Sequence, residues 1–234
     1  MIKLRKSEDR GKFKNDWLDS NHTFSFGEYF DPEFMGISNL RVINDDKVKP
    51  GKGFATHSHQ NMEIISYVVS GSLEHKDSMN NGSVIKPGDV QRMSAGKGVT
   101  HSEFNPSDDE EVNFLQIWIE PNKQNIEPDY EQKYFSPKEG INSLKTLISP
   151  NGVEGSLTLN ADCFISSCHL ENGRNIQVKI PKNRLGFLHI VAGDVKVNEE
   201  SLKGGDALSF SEEDTLLVSS STKSEFLVFE LPET

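Results

Sequence analysis

The chain has 234 residues, 34% of them hydrophobic, and 25 Lys and Arg stand against 36 Asp and Glu for a formal net charge of −11. That length suffices for two domains of ordinary size, with a core that needs neither metal nor disulfide merely to fold. A surface this acidic repels phosphate backbones and anionic lipid, which disfavours direct nucleic-acid binding and membrane-surface binding.

The N-terminal stretch MIKLRKSEDR is charged from its third residue and shows no apolar leader segment, and no apolar run approaches a membrane span. Helical periodicity is scarce. Short β-branched and aromatic runs bounded by Gly, Pro, Asn or Asp predict strands at Leu40–Asn44, Glu63–Gly71, Asn113–Glu120, Gly155–Leu159, Asn175–Ile180, Gly186–Gly193 and Ser224–Leu231. Turn signals lie between them at Asn80–Gly82, Lys86–Asp89, Ser149–Gly152 and Lys203–Asp206. The polar, proline-containing stretch Glu120–Tyr134 breaks this rhythm and is expected to cross between two halves. Cys163 and Cys168 are five positions apart on one predicted strand, so they face opposite sides and form no internal disulfide. A reducing cytoplasm is the expected location.

An internal repeat supports the division into halves. Tyr67–His75 followed by Val84–Ser94 is echoed by His189–Val197 followed by Leu202–Phe210: an apolar strand ending in Gly, a hairpin, then a Gly-Asp turn into the next strand. The expectation is an all-β protein of two similar barrels, residues 1–125 and 126–234.

The chemistry-bearing residues cluster in the first half. His57 and His59 are spaced i, i+2 in GFATHSHQNMEIISYVVSG, and His101 and Glu103 repeat the spacing in GKGVTHSEFN. On strands, i and i+2 share a face, so two such pairs can converge on one divalent ion. Glu63 is in phase with His59 if the strand stays regular, and strand geometry alone leaves Glu63 and Glu103 as alternative fourth ligands. His22, His75, His169 and His189 are read as surface or hydrogen-bonded core residues. Through the repeat, His57, His59 and Glu63 map to Lys179, Pro181 and Leu185, while His101 and Glu103 map near Val218 and Ser220. The second barrel is therefore expected to keep the scaffold and carry no metal. Arg41, Lys76 and Arg92 are scattered rather than clustered, which disfavours a sugar-phosphate site.

These residues resemble the cupin superfamily. Gly51, His57, His59, Glu63 and Gly71 are similar to its first motif, and Gly98, His101 and Asn105 to its second, with Gly96 where a proline is usual. Within it, the chain resembles the pirin family through HTFSFGEYFDPEFMGISNLRVINDDKVKPGKGFATHSHQNMEIISYVVSGSLEHKDS, PGDVQRMSAGKGVTHSEFN and FLQIWIEP. The second half resembles the pirin C-terminal barrel loosely, ending in FLVFELP. The resemblance implies a monomeric bicupin of two tandem double-stranded β-helix (jelly-roll) barrels. It implies one divalent metal per chain, held in the N-terminal barrel by His57, His59, His101 and Glu103, which favours Glu103 over Glu63. Iron(II) is the favoured ion among Fe, Zn, Co, Ni, Mn and Cu. The implied activity is that of a quercetin 2,3-dioxygenase, cleaving flavonols with O2 and releasing CO, with Glu103 as the catalytic base. The alternative is a non-enzymatic, metal- or redox-sensing pirin that docks a transcriptional or metabolic protein partner, for which the acidic loop Asp108–Glu111 offers surface. Gln60-Asn61 stands where many relatives carry Arg-Asp, beside the expected ligands, and is expected to alter pocket polarity.

Overall fold

The computed structural model describes residues 2–211 and 215–233 and is almost entirely β, with short 3-10 turns between strands. None of its described helices is long and apolar enough to cross a membrane. The chain divides into two compact units, Gly11–Phe135 with Leu157–Ala161, and Met1–Arg10 with Ser136–Ser156 and Asp162–Thr234.

The unit around Gly11–Phe135 is built from two antiparallel sheets. One runs, strand by strand, Asp129–Tyr134, Asp89–Ser94, Glu63–Ser70, Val112–Ile119, Leu40–Val48, Leu18–His22, Gly11–Lys14. The interior strand EIISYVVS carries apolar residues on both faces because both are covered. The other sheet runs Gly53–His59, Val99–Phe104, Leu73–Asp77, Gly82–Ile85. Leu18, Val48 and Phe114 of the first sheet meet Leu73 and Ile85 of the second in one apolar cluster, so the two sheets close on each other as a jelly-roll.

The other unit repeats the plan. Its larger sheet contains, in order, Lys3–Arg5, Ala207–Ser211, Arg184–Ala192, Ser224–Pro232, Phe164–Leu170 and Lys145–Ser149. Its smaller sheet runs Asn175–Val178, Leu216–Ser220, Asp194–Val197, Glu200–Lys203. Leu188, Phe210 and Phe226 pack onto Val178, Val197 and Val218 between them. Val218, near the repeat position of His101, is thus an apolar core residue. The repeat is visible in the backbone: Gly71 and Gly193 sit at φ 74° and 81°, Gly88 and Gly205 at 93° and 86°, a region that only glycine enters without strain.

The units depart from the expected boundary at residue 125. Asp129–Tyr134, expected within a crossing segment, is a strand paired along Asp89–Ser94 in the first unit. Its polar sequence is that of an edge strand with one open side. Conversely, Lys3–Arg5 pairs with Ala207–Ser211 and joins the second unit. The strand expected over Gly155–Leu159 shrinks to Leu157–Thr158, because Gly155 turns away at φ 73°. Cys163 and Cys168 are both free and buried, and burial pushes the Cys168 thiol up to about 12.

Gly53 opens the strand that carries His57 and His59 and lies against the backbone of Glu103 and Phe104. A Cβ added there would overlap the Glu103 carbonyl oxygen and the Phe104 Cα. Gly53→Ala should therefore cost about 1–3 kcal/mol in a denaturant melt by overpacking two paired strands.

Candidate metal centre

Three neighbouring strands bring the ionisable residues of the first half onto one face. Val99–Phe104 lies between Gly53–His59 and Leu73–Asp77. In this register His101 is opposite His57 on one side and Asp77 on the other. A bulge between His101 and Glu103 sets Glu103 opposite Phe54 and His75.

The ligand atoms of His57, His59 and His101 lie within 4.8 Å of one another. Their ring centroids are 4.5–4.9 Å apart. His57 Nδ1 donates to the Ala55 carbonyl at 2.8 Å, which leaves its Nε2 lone pair free. Behind His101 stands a chain of fixed proton positions. The Asp77 carboxylate accepts from His75 Nε2 at 3.1 Å, so His75 Nδ1 can accept from His101 Nδ1 at 3.4 Å. His101 Nε2 is then an acceptor, buried and without a hydrogen-bond partner. An orphaned imidazole lone pair beside two others fits a divalent cation better than any protein group.

Burial pushes His59 down to about 4, with His101 and His57 adding and Glu103 opposing. Burial also pushes His101 down to about 3, with His57 and His75 adding and Asp77 opposing. Burial raises Asp77, but hydrogen bonds from Asn81, His75 and Met79 outweigh it and hold the carboxyl below its ordinary range.

Glu103 is buried and lines the same cavity as His57 and His59. Its oxygens are held from behind, Oε1 by the Ser66 hydroxyl at 3.1 Å and Oε2 by Gln116 Nε2 at 2.8 Å. It groups within 4.8 Å with His75 and His101, not with the three-histidine set.

Glu63 is elsewhere. The strand ends at His59, and Asn61, at φ 51°, turns the chain before the next strand begins, so the phase linking His59 to Glu63 is broken. Glu63 Oε2 accepts from Ser94 Oγ at 2.9 Å and Asn160 N at 3.1 Å. Gln60 and Asn61, expected to change pocket polarity, are not among the cavity-lining residues. Asn61 suits the left-handed turn it occupies and caps Asn125 N at 2.7 Å.

Sequence alone missed His75 and His22. His75 supports His101, and the HKD spacing, with Asp77 on the same strand face, was its signal. His22 lines the cavity. His169, by contrast, pairs with Glu225 at 3.7 Å, and His189 is buried in the second unit.

The cavity measures about 520 Å³, within the range of small-molecule sites. Phe26, Phe54 and Trp118 form apolar wall, and Trp118 lies edge-on to His59 with centroids 5.0 Å apart. The lining also has a polar part, on the larger sheet. Ser20 is paired with Asp46, and His22 with Asn44, which is paired in turn with Gln116.

Known proteins resemble this chain along nearly its whole length. The pirin family model matches residues 3–119, and a model described as quercetinase C-terminal cupin domain matches 146–231. A quercetin 2,3-dioxygenase of Escherichia coli strain K12 is 41% identical over 232 residues, 99% of each chain. The crystal structure of the bacterial pirin YhhW from Escherichia coli in complex with nickel(II) superposes with a TM-score of 0.94 at 40% identity, covering 100% of both chains. GK1651 from Geobacillus kaustophilus gives 0.80 at 26% identity, covering 99% of this chain and 96% of that one.

Two outcomes are expected. Removing the carboxylate–imidazole support, by His75→Phe or Asp77→Asn, should weaken nickel binding about 10- to 100-fold in a chelator competition. In metal-free protein, the unfolded chain takes up protons on these histidines near 6.5, whereas folded His59 and His101 resist until about 4 and 3. Their contribution is thus full above 6.5 and lost as pH falls from there through about 4 for His59 and about 3 for His101. Urea midpoints should drop over that window, and less steeply in His59→Phe.

Proposed function

This chain belongs to the pirin family, and on that premise we propose that it is a metal-dependent dioxygenase that opens the central ring of flavonols such as quercetin with O2 and releases CO. The observation that carries this reading is the unpartnered, buried Nε2 of His101 beside His57 and His59, which line an aromatic-walled cavity. One divalent ion is assigned to His57, His59, His101 and Glu103, with iron as the ion expected for oxygen chemistry. When bound, such an ion supplies Lewis acidity, lowering the pKa of a hydroxyl it coordinates.

The protein's own residues do the rest. His59 and His101, kept neutral by burial, present lone pairs without first losing protons at neutral pH. Trp118, Phe26 and Phe54 hold a planar ring system and exclude water from it. Glu103, steadied by Ser66 and Gln116, keeps further lone pairs on each oxygen and takes the proton of the flavonol 3-hydroxyl.

The test is CO released from quercetin in air by protein loaded with each divalent metal in turn. Turnover should vanish with metal binding in His101→Ala. Glu103→Gln should lower it about 10²–10⁴-fold. Stoichiometric metal without CO from any loaded form would remove the dioxygenase reading.

A further inference from the structure

The inner face of the strand Leu40–Val48 breaks its own pattern at the cavity. Its inward positions read Leu40, Val42, Asn44, Asp46, Val48, all buried. Two polar residues therefore sit where the strand's apolar face should continue. Neighbours in register keep the same phase, for Leu18 and Val48 close the cavity floor in the apolar cluster while Asp46 and Asn44 line the space above it. Burying a carboxyl and an amide there is costly unless something pairs with them.

In the protein alone, the pairing is incomplete. Ser20 bonds to the Asp46 carboxyl, yet Asp46 Oδ1 is buried with no partner, and so is Asn44 Oδ1. Asp46 and Asn44 are only 4% and 3% exposed. Burial raises the Asp46 carboxyl to about 7, with Ser20 opposing and Glu103 and Asp45 adding, so a neutral partner suits it better than one demanding a fixed charge.

We propose that Asp46 and Asn44 form a hydroxyl-reading subsite, which accepts hydrogen bonds from ring hydroxyls of a polyhydroxylated aromatic substrate and is carried by the sheet other than the one that bears His57, His59 and His101. This rests on the flavonol reading above and adds to it which substrates are preferred. A phenolic hydroxyl supplies a donor without burying a charge, and its ring suits the Phe26 and Trp118 walls. A ligand lacking those hydroxyls leaves the buried acceptors unpaired, and selection follows from that penalty.

The test uses nickel-loaded protein under anaerobic conditions, so that ligands bind without turnover. Dissociation constants are measured for quercetin and for 3-hydroxyflavone, which keeps the 3-hydroxyl and 4-carbonyl and has no other hydroxyl. Wild-type protein should prefer quercetin by about tenfold or more. Asp46→Leu should collapse that ratio toward one, chiefly by weakening quercetin, while Asp46→Asn, which keeps the shape and an acceptor, should retain most of it. Nickel affinity should be unchanged in both variants. A wild-type ratio near one overturns the subsite without needing any variant to fold. An undiminished ratio in Asp46→Leu overturns it too. Either result leaves flavonol binding standing, whereas failure of both ligands to bind wild-type protein overturns the flavonol reading and the subsite with it.

Discussion

The site depends on the antiparallel register that sets His101 directly opposite His57. Side chains directly opposite on paired strands have Cβ atoms about 4.5–5.5 Å apart, which is the separation two imidazoles need to share one small ion. A slip of one residue would turn His101 and Glu103 to the other face together. The bulge after His101 adjusts Glu103 without losing His101, and the third strand supplies His75 and Asp77 from the other flank. The convergence is therefore a property of the sheet, and no flexible loop has to be ordered to create it.

The barrel interior is divided between apolar packing and polar chemistry. At one end, Leu18, Val48, Val112 and Phe114 close the sandwich. At the other, the same strands carry Ser20, Asp46, Asn44 and Gln116 into the cavity. Polar groups in an interior cost stability unless they are satisfied. Glu103 is held by Ser66 and Gln116, and His75 by Asp77. Glu63 is held by Ser94 and Asn160. In the second unit the cluster between the sheets is apolar, and buried polar residues such as His189 and Asp206 are not part of it.

Much of this was legible in the sequence because strand periodicity is short-ranged. The i, i+2 spacing of His57 with His59 needed no tertiary information, and neither did the glycines marking the repeated turns. The ambiguity over Glu63 arose from assuming one continuous strand, and a single asparagine at positive φ ends it. Asp129–Tyr134 and Lys3–Arg5 escaped detection as sheet members because edge strands lack the apolar alternation that announces a strand, and their partners are remote. His75 looked ordinary because its importance comes from a neighbour on another strand. Asp46 and Asn44 were likewise invisible, since an acidic pair in INDDK reads as surface until the register shows which residues turn inward.

The pairing of Lys3 with Ser209 has a consequence for how the chain is made. Lys3–Arg5 is synthesised before the strands of the first barrel, and its partner strand Ala207–Ser211 after them. Lys3–Arg5 must wait unpaired while the barrel beginning at Gly11 is synthesised. Completion of the second sheet is then a late, long-range closure, slow by its sequence separation. Until it happens, Ala207–Ser211 presents an open edge, and another copy's strand can take the vacant place. Crowded synthesis would thus favour strand exchange between nascent chains.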